Sequence, residues 1–244
     1  MRHILLLSRR TAKEILRDPL NLAFGLGFPL VLLALLTAIQ SGISEPLFVM
    51  ERLAPGITVF GLSFMSLFSA TLISRDRSSA LLLRLYTTPL RPLDYILGYA
   101  LPMVPIALAQ STITLLFGVI LGLPWTPRLL LCLLTTVPVG WIFIGTGLLC
   151  GSLLTDKQVG GVCGALLTNL TGWFAGIWFD VTLVGGVFKT VAEILPFYHA
   201  VELARAAYAG TLGAALSHLW VVLAWAFGLL AVAVWAFLRQ MEKN

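Results

Sequence analysis

Long apolar runs separated by short polar segments dominate the pattern of this chain. Six stretches contain no Asp, Glu, Lys or Arg and are long enough to cross a bilayer: 20–40, 54–74, 95–122, 129–154, 158–179 and 216–238. A spanning α-helix needs about 20 apolar residues, whereas a membrane β-strand needs about 10 residues of alternating polarity. The pattern therefore predicts an all-α polytopic membrane protein with six transmembrane helices, forming a single domain over 1–244.

Residues 1–19 follow a different pattern, that of a basic amphipathic helix. Apolar residues recur at helical spacing, at Leu5, Ala12, Ile15 and Leu16. Basic residues form a stripe at i, i+4 and i+8, at Arg9, Lys13 and Arg17. Asp18-Pro19 then ends the helix and redirects the chain. We predict that this helix lies on the inner membrane surface; a solvated cytosolic helix is the alternative.

The segment 180–215 is apolar for a loop, yet charged residues keep it from crossing the membrane. Burying one charge at the bilayer centre costs at least about 2.5 kcal/mol, and the segment carries Lys189, Glu193, Glu202 and Arg205. We therefore predict two short re-entrant helices that enter the outer leaflet and return before the last span. Proline favours the first helical turn, so Pro196 would open the second helix.

That second helix carries the residues of a predicted outer gate. His199, Glu202 and Arg205 recur at i, i+3 and i+6, and Glu202 and Arg205 are spaced for an ion pair. Together with Pro196 they would hold the exit closed. The alternative is that the pair only solubilises a helix at the membrane interface.

Composition and charge fix the orientation that the spans would take. Only 11% of the residues are charged, against about 25% in soluble domains, and mean hydropathy is +0.95. With the N-terminus inside, 12 of the 16 Lys and Arg residues fall in cytosolic segments. This is the positive-inside bias. The distribution of basic residues therefore predicts that both termini are cytosolic, and we expect a bacterial cytoplasmic (inner) membrane protein. The net charge of +5 reflects this orientation and does not indicate a nucleic-acid partner.

Motifs for catalysis or for nucleotide binding are absent from the sequence. There is no G-x-x-x-x-G-K-[ST] loop, no H-E-x-x-H and no G-x-S-x-G, and the three cysteines lack metal-ligand spacing. No carboxylate falls inside a predicted span, which disfavours a proton-coupled carrier or a membrane enzyme. We expect no catalytic residue, bound cofactor or metal in this chain.

The remaining charge is concentrated at 75–94, between the second and third spans. Four arginines fall there, at Arg75, Arg77, Arg84 and Arg91. A short helix that is basic at both ends and apolar between them suits a soluble partner. An ordinary positively charged inner loop is the alternative reading of the same residues.

The stretch 53–101 resembles the core of ABC transporter permeases of the type-2 export family. The shared pattern is Pro55-Gly56, then the charged Arg75–Arg77, then Thr88-Pro89, then Gly98. "RDPLNLAFGLGFPLVLL" and "LPFYHAVELAR" resemble the family's entry into its first span and the segment before its last span. This chain has Asp76-Arg77-Ser78-Ser79-Ala80 where many members have Glu-x-x-Gly-Thr.

The resemblance implies partners as well as a fold. A separate ABC ATPase subunit, in two copies, would bind the ATP and Mg²⁺, and a second permease chain, identical or homologous, would complete the pathway in the lipid. The segment 75–94 would be the coupling helix, with contacts from Arg75, Asp76, Arg77, Arg84, Leu85, Tyr86 and Pro89. Spans without fixed charges suggest a small hydrophobic or amphipathic cargo, such as a drug, antibiotic or lipid. Glycan export, or a stand-alone channel or carrier, is the alternative.

Overall fold

The computed structural model describes residues 2–79 and 92–241, and these residues are helical with short connections. The helices of the first half are α1 (Arg2–Leu16), α2 (Pro19–Ser41), α3 (Met50–Leu62), α4 (Phe64–Ser78), α5 (Pro92–Ala100) and α6 (Met103–Ile120). Those of the second half are α7 (Arg128–Leu153), α8 (Asp156–Val159), a π-helix (Gly160–Leu167), α9 (Thr168–Phe174), α10 (Val181–Val184), α11 (Gly186–Ile194), α12 (Pro196–Ala209) and α13 (Leu212–Met241).

Five helical stretches of the described residues are long and apolar enough to cross a membrane. They are Asn21–Ser41, Met50–Ser78, Leu93–Ile120, Arg128–Leu153 and Leu212–Arg239. The predicted span 158–179 takes another form, because α8, the π-helix and α9 follow one another there and end at Phe174. Gly160, Gly161 and Gly164 lie in the π-helix, and glycine weakens an α-helix by about 1 kcal/mol.

The centre of the bundle is the α3–α4 stretch, which α7 crosses closely. Small residues allow this approach, since an added Cβ at Gly147 would overlap Ser69 Oγ and the Ser66 carbonyl. At Gly151 it would come within 2.6 Å of the Ala70 carbonyl oxygen. Close contact between small residues is a usual way for membrane helices to pack. The interior here is therefore filled by backbone against backbone.

Helix α1 packs against α5. Leu7 and Ile15 are buried, and Leu7 covers Gly98, where an added Cβ would come within 2.7 Å of Leu7 Cγ. Leu5 and Leu16 are 67% and 68% exposed, on the side that carries the basic stripe. Ile15, which the sequence pattern groups with Leu5 and Leu16, is therefore turned into the bundle, while Leu5 and Leu16 stay on the exposed side.

Three short helices, α10, α11 and α12, occupy most of the segment 180–215. Pro196 is the first residue of α12, as the sequence predicts, and it is buried. The helix ends at Gly210, whose φ of +80° favours glycine. Helix α12 packs against α3, α7 and α13, so this segment is part of the bundle.

Candidate functional site

A buried carboxylate, Asp76, joins three helices at one end of the bundle. Asp76 lies in the last turns of α4 and is 6% exposed. Arg10 of α1 donates to both of its oxygens, from Nη1 at 2.8 Å and from Nη2 at 2.9 Å. The hydroxyl of Tyr99, which is fully buried in α5, donates to Oδ2 at 2.6 Å. We call Arg10, Glu14, Asp76 and Tyr99 the Asp76 cluster, and its end of the bundle the cluster end.

Glu14 completes the Asp76 cluster on the side of α1. Its Oε1 accepts from Arg10 Nη2 at 2.6 Å. The hydrogen bond to Asp76 raises the pKa of Arg10, and burial together with the charge of Asp76 raises the pKa of Glu14. One guanidinium thus bridges two carboxylates, a charge-assisted arrangement about twice as strong as neutral hydrogen bonds.

Of the two arginines predicted to contact a partner at the end of α4, Arg77 forms hydrogen bonds within the chain and Arg75 lies near two carboxylates. Arg77 donates to the carbonyls of Gly151, at 3.3 Å, of Leu154, at 3.1 Å, and of Ser152. These carbonyls lie at the C-terminus of α7, where a cation also complements the helix dipole. Arg75 is 58% exposed and lies 3.5 Å from Asp18 and 3.8 Å from Asp156.

The other predicted coupling residues, Arg84, Leu85, Tyr86 and Pro89, lie outside the described residues, as does Arg91. The chain enters that stretch from α4, two residues after Ser78, and leaves it at Pro92, the first residue of α5. Asp76 and Tyr99 therefore stand on the two helices that flank it. The Asp76 cluster ties these helices to each other and to α1.

A buried guanidinium, Arg205, joins three segments at the opposite end of the bundle. Its side chain is 10% exposed, and Nη1 donates to Glu202 Oε1 at 2.8 Å, which is the ion pair that the spacing predicts. Nε donates to the carbonyl of Arg52 at 3.1 Å, and Nη2 donates to the carbonyl of Gly176 at 2.9 Å. We call Arg52, Gly176, Glu202 and Arg205 the Arg205 clamp, and its end of the bundle the clamp end.

The pKa values of Arg205 and Asp180, at the clamp end, are shifted by burial and by hydrogen bonds. Burial lowers the pKa of Arg205, and the bond to Glu202 opposes that shift. Asp180 is the N-cap residue of α10 and accepts from the Thr182 hydroxyl, at 2.7 Å, and from the Thr182 N–H. These bonds lower the pKa of Asp180. The guanidinium of Arg52 lies 3.9 Å from both Asp180 and Glu202, and so links them loosely.

His199 bonds away from the Glu202–Arg205 pair, although the sequence places it on the same face. Its Nε2 lies 2.8 Å from the Glu193 carbonyl, which can only accept. His199 Nδ1 is then the acceptor for His218 Nδ1–H, 2.9 Å away, when both rings are neutral. The two histidines therefore join α12 to α11 and α13. No set of three His, Cys, Asp or Glu side chains suited to a metal ion occurs within residues 2–79 and 92–241.

Sequence reasoning missed the side chains of Arg10, Glu14 and Tyr99 and the backbone carbonyl of Arg52, four groups that belong to these two sites. Arg10 is separated from Asp76 by 66 residues, and Arg205 from the Arg52 carbonyl by 153. Two features of the sequence could have indicated a role for Arg10. It lies outside the basic stripe of α1, and Glu14 follows it by four residues. No pattern in a single sequence signals the contacts of Tyr99.

The geometry defines a polytopic helical membrane protein with an ionic cluster at each end of its bundle. The comparisons with known proteins agree with this class and refine it. Residues 2–209 match the family model described as ABC-2 type transporter. This chain therefore belongs to the ABC-2 type transporter family, as an integral membrane permease component. No curated protein sequence matches the chain significantly.

Proposed function

We propose that this chain is the membrane-spanning half of an ATP-driven exporter of the bacterial cytoplasmic membrane. It would cross six times, with α8, the π-helix and α9 as the fifth crossing, and both termini would be cytosolic. The cluster end then faces the cytosol and the clamp end faces outward. ATP and Mg²⁺ would bind on separate ABC ATPase subunits, which family members normally pair with, and this chain would have no enzymatic activity of its own.

The Asp76 cluster is the observation that supports coupling to such an ATPase at this end. Its hydrogen bonds tie α4 and α5, on either side of the stretch 80–91, to α1. A displacement imposed on that stretch by a partner would therefore reach all three helices together. In this proposal Arg84, Leu85, Tyr86 and Pro89 contact the ATPase, while Asp76 and Arg77 hold the helices that present them.

The pathway would form between two permease chains rather than within one. The interior of the bundle is packed, and its hydroxyls are used locally. Ser63, Ser66 and Ser69 of the α3–α4 stretch each donate to a carbonyl three or four residues earlier, at 2.6 to 2.7 Å. Such hydroxyls have no free donor to offer to a polar cargo inside one chain. A second permease chain, identical or homologous, would supply the other side of the pathway.

The outer gate of the proposal is the Arg205 clamp, with α11 and α12 dipping into the outer leaflet. Arg205 fastens α12 to the beginning of α3 and to the turn at Gly176, so its release would free α12. Pro196 and His199 would position that helix. The absence of charged residues from the predicted spans favours a small hydrophobic or amphipathic cargo.

Efflux from proteoliposomes tests the proposal. The chain would be reconstituted with a co-expressed ABC ATPase, and release of fluorescent hydrophobic and amphipathic compounds would be followed with and without ATP. We expect efflux that requires ATP and that an ATPase lacking its phosphate-loop lysine abolishes. Equal efflux without ATP would identify a stand-alone channel or carrier instead. ATP-dependent movement of lipid-linked glycans alone would identify a glycan exporter.

A further inference from the structure

A cleft of about 310 Å³ opens between α1, α2 and α4 at the cluster end. Its mouth is charged and its floor is apolar. Arg17 and Arg75 stand at the mouth, and Leu22, Phe68 and Leu72 line the floor. Phe68 precedes Arg75 by seven residues on α4, which is about 10 Å along the helix axis. The cleft therefore runs from a charged rim, where the carboxylates Glu14, Asp18 and Asp76 lie beside the two arginines, down along two apolar helices.

The two guanidinium groups at the rim have donors to spare. Arg17 makes no ion pair with any residue in the described part of the chain. Arg75 approaches Asp18 and Asp156 only at 3.5 and 3.8 Å, beyond the 2.7–3.2 Å of a direct N–H···O bond. The three carboxylates at the same rim already have donors, because Glu14 and Asp76 accept from Arg10 and Asp18 accepts from the Asn21 amide at 2.8 Å.

We propose that this cleft binds one phospholipid of the inner leaflet, with its phosphate on Arg17 and Arg75 and its acyl chain along Leu22, Phe68 and Leu72. Guanidinium groups match phosphate geometry by bidentate hydrogen bonds, and basic pockets between helices at the cytosolic face suit lipid headgroups. The turn at Asp18-Pro19, where α1 gives way to the span of α2, sets the rim at headgroup depth. The inference rests on the proposed orientation.

The bound lipid would act as a wedge between α1 and the α2–α4 pair. Arg75, at the rim of the cleft, directly precedes Asp76 in the chain, so the lipid site adjoins the Asp76 cluster. The lipid site and the Asp76 cluster both lie near the point at which the chain enters 80–91. Occupancy would therefore favour one placement of α1 relative to α4, which makes membrane lipid a structural partner of the coupling end.

Native mass spectrometry of the purified chain tests the site. The wild type, released from lipid nanodiscs into mild detergent, should retain one phospholipid per chain. Arg17→Gln/Arg75→Gln should lower that retention about tenfold or more, as expected from the loss of two charge-assisted contacts. The matched control Arg9→Gln/Lys13→Gln removes the same charge from exposed positions of α1 outside the cleft, and should retain the lipid. Equal retention by both double variants would overturn the proposal.

Two further experiments distinguish a lipid phosphate from free phosphate and show whether a variant that loses the lipid is still folded. Leu72→Trp fills the floor without changing charge, and should also lose the lipid while keeping the wild-type elution profile and thermal unfolding. Inorganic phosphate at millimolar concentration should neither bind on its own nor displace the lipid; binding of phosphate without retained lipid would contradict a lipid site. A nitroxide at Leu16 that reports water would overturn the placement of α1 on the membrane. Lipid depth at Leu16 with unchanged retention in both cleft variants would overturn the lipid site alone.

Discussion

The two ends of the bundle use buried charge in opposite ways. At the cluster end, the central group is an acceptor, Asp76, and its donors are the side chains of Arg10 and Tyr99. At the clamp end, the central group is a donor, Arg205, and two of its three acceptors are backbone carbonyls. Contacts between side chains can be exchanged or adjusted. A backbone carbonyl cannot be replaced by another side chain, so it needs a donor at one position. The structure of the clamp end therefore depends more heavily on the single residue Arg205.

Removal of Arg205 should have the largest effect. Arg205→Met keeps much of the apolar stem but leaves Glu202 and the carbonyls of Arg52 and Gly176 without their donor. Loss of one partner from a buried charge pair costs about 3 kcal/mol or more, and we expect that decrease in the free energy of unfolding, measured by denaturant titration in mixed micelles. The matched control is Arg52→Gln, since Arg52 is 59% exposed with contacts at 3.9 Å. It should cost less than about 0.5 kcal/mol. Similar values for the two variants would contradict the clamp.

Charge swaps should separate the two ends. At the clamp end, Glu202→Arg/Arg205→Glu restores the ion pair but places no donor at position 205 for the two carbonyls. It should stay about 2 kcal/mol or more below the wild type, since each buried group left unpaired costs about 1–3 kcal/mol. At the cluster end, Arg10→Asp/Asp76→Arg leaves a hydroxyl at Tyr99 that can accept as well as donate. That swap should recover about half of the loss seen in Asp76→Arg alone. Full rescue at the clamp end would show that only the ion pair matters there.

Neutralising Asp76 should have a smaller effect than removing Arg205. Asp76→Asn keeps the shape of the side chain but presents one acceptor oxygen instead of two. Hydrogen bonds to charged groups contribute about 1.5–3 kcal/mol, so we expect a loss of about 2 kcal/mol. Amide hydrogen exchange should quicken in α1 and leave α12 unchanged. Asp156→Asn, at an exposed carboxylate, is the control, and equal exchange in both variants would argue against the Asp76 cluster as the anchor of α1.

Tyr99→Phe should show the smallest effect at the cluster end. It deletes one hydroxyl whose partner, Asp76, keeps both bonds from Arg10, so the expected loss is about 1 kcal/mol. Thermal unfolding should shift slightly, and hydrogen exchange in α1 should stay close to that of the wild type, because Arg10 still holds the helix. Exchange in α1 as rapid as in Asp76→Asn would mean that Tyr99, and not Arg10, sets its position.

Much of the helical framework follows from the sequence because apolar runs of spanning length leave the backbone few options in lipid. The runs predict α2, α3–α4, α5–α6, α7 and α13. They do not predict the π-helix, because an uncharged apolar run of this length fits α and π geometry equally well. The start of α12 at Pro196 could be predicted, because proline suits a first helical turn.

The sites follow from the sequence only where their members are neighbours on one helix. Glu202 and Arg205 are three residues apart, so their pair could be predicted. The carbonyl of Gly176 could not, because the fold alone brings it to Arg205. Asp76 and Arg77 are predicted coupling residues because charge is concentrated in that part of an apolar chain. Their bonds to Arg10 and to the carbonyls at the end of α7 could not be predicted, because the fold alone brings these groups together.

The central claim is that the stretch between α4 and α5 contacts the ATPase. Retention of the ATPase during purification tests this claim most directly. The chain would be co-expressed with an ABC ATPase in two forms, the wild type and a variant with residues 80–91 replaced by Gly and Ser at equal length. Asp76 and Tyr99 stay in place in both forms. We predict that the wild type co-purifies with the ATPase and that the variant, although still folded in the membrane, loses it. A folded variant that retains the ATPase in wild-type amounts would contradict the account.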